Sequence, residues 1–80
     1  MWAKLFERDG KQVLVTNDQD EDGNPRVKIS AKPKGLGVSS LNIGFKDTDE
    51  GYELCDKCFE EMDEEKAFTL AQQIFDFAED

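Results

Sequence analysis

Asp47 to Glu65 read DTDEGYELCDKCFEEMDEE, ten acidic residues against one base, Lys57. At about 100° per residue, Tyr52, Cys55, Phe59 and Met62 fall on one arc, and Asp49, Glu53, Asp56 and Glu60 on another about 110° away. That separation predicts an amphipathic helix with an apolar and an acidic stripe. Asp47 followed by Glu50 is the expected capping box, and acids in the first turn suit the helix dipole. Asp56, Glu60, Glu61, Glu64 and Glu65 lie too far along for that benefit, and like charges four apart cost roughly a few tenths of a kcal/mol per pair. The stretch retains repulsion that a merely structural helix would not need.

C-terminal to this stretch, Asp63 is an N-cap candidate, and Ala67, Phe68, Ala71, Ile74, Phe75 and Ala78 recur at helical spacing. N-terminal to it, the pattern alternates. Trp2 to Glu7 and Gln12 to Asn17 flank Asp9-Gly10, a strong short hairpin signal. A two-residue turn sets Phe6 opposite Val13 and Leu5 opposite Leu14. Trp2, Phe6, Val13 and Val15 then form the expected core face, with Leu5 and Leu14 on the other. Arg26 to Ala31 is a third strand, with Val27, Ile29 and Ala31 on one side. Lys32-Pro33-Lys34-Gly35-Leu36-Gly37 is a breaker loop. Val38 to Phe45 completes four strands, with Leu41, Ile43 and Phe45 on one face. Strands followed by helices predict an α+β fold: a four-stranded antiparallel sheet and two C-terminal helices packed on one face. The expectation is a single domain over residues 1–80, with strands in 1–46 and helices in 47–80.

Eighty residues allow one modest core, and the sequence contains no apolar run approaching a membrane span. The start at Trp2 reads as a strand rather than a leader, which favours a cytoplasmic protein. Net charge is −9. Its placement is uneven: residues 1–46 hold eight bases and six acids, residues 47–80 two bases and thirteen acids. A segregated field of this kind steers partners of opposite sign.

Three features bear on chemistry. Asp18, Asp20 and Asp22, followed by Gly23, open like a calcium loop, but the twelfth position is Ile29 instead of a bidentate Glu, and a strand precedes the loop. The favoured reading is an acidic turn, with weak Ca²⁺ binding as the alternative. Cys55 and Cys58 are two thiols in a chain without His, too few for structural zinc in one protomer. Cys55 lies about two turns into the helix, not at the N-terminus where a redox thiol is activated. Arg26, Lys28, Lys32, Lys34 and Lys46 form a basic group with no nucleic-acid-binding motif beside it. Without His, Ser-His and Cys-His pairs are excluded, and no acid/base pair stands out. The reading is a non-enzyme with no cofactor.

The length, the Trp2-Ala3-Lys4-Leu5-Phe6-Glu7-Arg8-Asp9-Gly10 start, the Asp-rich loop and Phe45-Lys46-Asp47-Thr48-Asp49-Glu50-Gly51 together give the chain the look of small acidic phage and prophage proteins. It resembles the anti-CRISPR inhibitors and DNA mimics among them. That resemblance implies an inhibitor in the bacterial host cell, bound to a basic protein or complex such as a CRISPR-Cas effector, where nucleic acid would lie. Asp49, Glu53, Asp56 and Glu60 are the expected central contacts, with Glu50, Glu61 and Glu64 flanking. Asp76, Glu79 and Asp80 extend the negative surface. Direct nucleic-acid and membrane contacts are not expected, and a homodimer through Leu5 and Leu14 is the expectation for an assembly protein.

Overall fold

The computed structural model describes residues 2–78. Four strands, β1 (Trp2–Arg8), β2 (Lys11–Gln19), β3 (Pro25–Ala31) and β4 (Ser39–Gly44), precede two helices, α1 (Asp49–Glu61) and α2 (Glu64–Phe75). The sheet is antiparallel throughout, in the order β1-β2-β3-β4, and the helices pack on it in the expected α+β arrangement. Asp9 and Gly10 both take positive φ, 52° and 77°, the backbone a type I′ turn requires. The turn fixes the anticipated register, Phe6 opposite Val13 and Leu5 opposite Leu14.

Alternation does the rest. Val13, Val15, Val27 and Ile29 are fully buried and meet Cys55, Phe59 and Met62 from α1 and its end, and Ala67, Phe68 and Ala71 from α2. Phe6, Ile43, Phe45 and Phe75 close the margins of this core. The opposite sheet face carries Leu5, Leu14, Thr16, Lys28 and Asn42 and has no helix over it. No described helix is long and apolar enough to cross a membrane.

Several boundaries differ from the sequence reading. Thr48, not Asp47, is the N-cap of α1, its side chain accepting from the Gly51 amide at 3.0 Å. β2 runs two residues further, through Asp18 and Gln19, because these pair with Arg26 and Pro25 of β3. β4 begins at Ser39 and ends at Gly44, although the Phe45 amide still donates to the Pro25 carbonyl at 2.9 Å. α2 stops at Phe75, so Ala78 lies beyond the helix. Asp63 caps α2 as expected, accepting from the Lys66 amide at 2.8 Å.

Trp2 is the main departure in the core. Strand parity places it on the helix side, opposite Asn17, yet it is 72% exposed. The helices lie mainly over the inner strands β2 and β3, and Trp2 on edge strand β1 borders an open hollow beside Asp56, Phe59 and Glu60 instead of packing under α1.

Candidate functional site

The site is built on α1. Thr48 starts the helix outside the sheet, and Cys55 and Phe59 press its apolar side into the core. The helical repeat then turns Asp49, Glu53, Asp56 and Glu60 to solvent, with Glu50 and Glu61 beside them, and all six are exposed. From Asp49 to Glu60 the row spans about 16 Å of helix axis. The ion pairs among the described residues are Arg8 with Glu64 at 3.0 Å and Arg26 with Asp18 at 2.9 Å. Neither involves an α1 acid. Glu64, at the first turn of α2, therefore differs from the other expected contacts because a strand residue already pairs with it. Asp76 lies at the far end of α2, where it accepts from Gln72 at 2.8 Å, while Glu79 and Asp80 lie outside the described residues.

The bases of the β1–β2 hairpin serve the fold. Lys4 shares a sheet face with Phe6 and reaches the C-terminus of α1, donating from Nζ to the carbonyls of Phe59 at 2.7 Å and of Glu60 and Met62 at 3.2 Å. The same ammonium lies 4.7 Å from the Phe59 ring centre. Arg8 lies 4.9 Å from the Phe68 ring and Lys11 5.1 Å from that of Phe75. Sequence reasoning missed all three, although parity with Phe6 was a signal: a Lys on an apolar sheet face must carry its charge to acceptors at the rim.

A polar seam joins α1 to the end of β2. Asn17 Nδ2 donates to Asp56 Oδ1 at 2.9 Å, and its Oδ1 accepts from the Cys55 thiol at 3.4 Å. Gln19 donates to the Tyr52 hydroxyl at 2.6 Å, and that hydroxyl donates to the Gly23 carbonyl at 3.3 Å. The seam orients Asp56 among the exposed acids. Two adjoining hollows, of about 240 and 450 Å³, flank Trp2, Asn17 and Asp56, the first also lined by Glu60 and the second by Tyr52.

The Asp-rich loop is organised differently from a calcium loop. Asp18 sits within β2 and receives two hydrogen bonds from Arg26, which hold its carboxyl below the usual range. Asp20 accepts from the backbone amides of Asn24 and Asp22 and from the Asn24 side chain, and these bonds lower its pKa in turn. Asp22 is exposed. Among the described residues no three Cys, Asp or Glu side chains converge as a metal-binding group. The thiols are similarly engaged in packing. Burial, with the Asp56 charge next in importance, pushes Cys55 up to about 11, and burial also raises Cys58. Both cysteines are free. No protein-family model, curated protein or solved structure matches the chain.

Proposed function

We propose that this protein is a non-enzymatic, phage-encoded inhibitor of the anti-CRISPR kind. Its α1 face binds a basic nucleic-acid-binding protein or complex, such as a CRISPR-Cas effector, and blocks the groove where DNA or RNA would lie. The observation that carries the reading is the row Asp49, Glu53, Asp56 and Glu60, exposed and without an ion-pair partner among the described residues. The hairpin cations that could have neutralised it are directed instead to helix carbonyls, Glu64 and aromatic rings. The row offers one charge per about 5 Å of axis, against one per about 1.7 Å in duplex DNA, so neighbouring Glu50 and Glu61 are part of the contact.

The test is capture by tagged protein from lysate of cells carrying a CRISPR system, challenged with duplex DNA and with salt. The expected result is retention of a basic nucleic-acid-binding complex that DNA releases. Asp49→Lys, Glu53→Lys, Asp56→Lys and Glu60→Lys together should abolish retention while the circular dichroism spectrum stays folded. Retention by that variant would overturn the reading.

One observation favours a second reading. Leu5 is 60% and Leu14 39% exposed, directly opposite each other on the open sheet face. An assembly protein that pairs through this face would show a mass in sedimentation that rises with concentration and falls to the monomer in Leu5→Lys. A concentration-independent monomer mass would remove that alternative.

A further inference from the structure

The molecule matches cations to aromatic rings in a row along its hairpin. Lys4 lies over Phe59, Arg8 over Phe68 and Lys11 over Phe75, each within about 5 Å. Trp2 begins the same row, in phase with Lys4, Phe6 and Arg8 on β1. Its indole is the strongest cation acceptor among the aromatic side chains, yet no cation of the described residues lies over it. The ring is 72% exposed, whereas Lys4 and Phe6, in phase with it on the same sheet face, are half-buried. Beside it, in the two hollows it lines, stand Asp56 and Glu60, carboxylates without an ion-pair partner among the described residues. Asn17 holds one oxygen of Asp56, which fixes the carboxylate and leaves the other oxygen open. An aromatic face lacking a cation and carboxylates lacking a base thus meet in one groove.

We infer that this groove, formed by Trp2, Asn17, Asp56 and Glu60, is the seat for an arginine side chain of the partner, its guanidinium stacked on the Trp2 indole and hydrogen-bonded to the Asp56 and Glu60 carboxylates. The inference rests on the basic-partner reading above and names the chemistry of its contact. Arginine fits better than lysine because a planar guanidinium stacks on an indole while its edge N–H groups face carboxylates, whereas an ammonium is a compact, strongly hydrated charge. The seat also differs from a plain negative surface in having one position where geometry, and not only charge, selects the ligand.

Trp2 is the one tryptophan of the chain, so its emission reports the groove directly. The experiment titrates the full chain with hexa-arginine and, separately, hexa-lysine peptides at low salt, reading Trp2 fluorescence and amide chemical shifts in parallel. Saturable change in Trp2 emission with hexa-arginine, at concentrations several-fold below those needed for hexa-lysine, is expected. Trp2→Leu should weaken hexa-arginine binding, followed by amide shifts, about three-fold. Asp56→Asn with Glu60→Gln should weaken it about ten-fold. Because Trp2 is exposed, its replacement leaves the core intact. If both peptides bind and shift Asp49 and Glu53 amides while Trp2 emission and the Trp2→Leu affinity stay unchanged, the seat is overturned and the basic-partner reading stands. If neither peptide binds at low salt, both are overturned.

Discussion

Gly51 shows how a single position can reverse an expectation drawn from propensity. It lies in the first turn of α1, where alanine would ordinarily favour the helix by about 1 kcal/mol. A Cβ on Gly51 would collide with the Lys46 backbone carbonyl, and backbone cannot swing aside as a flexible side chain can. Gly51→Ala is therefore expected to destabilise the fold by about 1–3 kcal/mol in urea unfolding, as overpacking does. A stabilised variant would show that the 46–48 segment yields freely. Cys55 sets a second expectation at this scale. Its thiol is raised from 9.0 to about 11, so the folded state holds the proton more tightly than the unfolded state does. The associated stability is fully present below pH 9 and is lost as pH rises through 11. Urea midpoints of the native protein should fall further between pH 8.5 and about 10.5 than those of Cys55→Ala; parallel curves would refute the assignment.

α1 is an acidic helix whose own last turn has no base. The negative end of its dipole is met from outside, by the ammonium of Lys4 at the carbonyls of Phe59, Glu60 and Met62. This contact lets the helix end in Glu60 and Glu61 with no base in its own last turn, leaving Lys57 as the one base of α1 beside the acidic row. Lys4→Met retains the stem that packs beside Phe59 but removes the cap. A loss of about 1–3 kcal/mol is expected, because three carbonyls lose a charged donor. Hydrogen exchange should also accelerate at the C-terminal turn of α1 more than in β2 or β3. Uniform acceleration would mean that Lys4 supports the whole fold instead of the helix end.

Over the whole molecule the charges are sorted by role as well as by segment. Arg8 and Lys4 are drawn to the helices, Arg26 to Asp18, and the carboxylates of α1 are left facing water. Field-driven capture of a basic partner is screened over about 10 Å at 0.1 M salt. Raising salt from about 0.05 to 0.5 M should slow association of the captured complex at least ten-fold, while dissociation changes little. Rates measured by surface binding would show this, and a salt-independent association rate would point to an apolar contact, for which the Leu5 and Leu14 face is the available surface.

The hairpin register, the strands-then-helices α+β class and the two-faced character of α1 were determined by local sequence, whereas the strand order β1-β2-β3-β4 came with the tertiary structure. A type I′ turn at Asp9-Gly10 admits one pairing, alternation of Val13 and Val15 or Val27 and Ile29 admits one buried face, and a 3.6-residue repeat separates Phe59 from Glu60. Such signals act within a few residues and are legible without a partner element. Asp47 and Thr48 are both competent caps, so local sequence does not choose between them; Thr48 caps α1, and the fit of Gly51 under the Lys46 carbonyl accompanies that start. Only the tertiary structure decided that Lys4 would close α1 from 55 positions away, that Arg26 would draw Asp18 into a strand, and that Trp2 would lie beside Asp56 rather than in the core. Those outcomes depend on how far each helix extends over the sheet, a distance that periodicity along one chain segment does not encode.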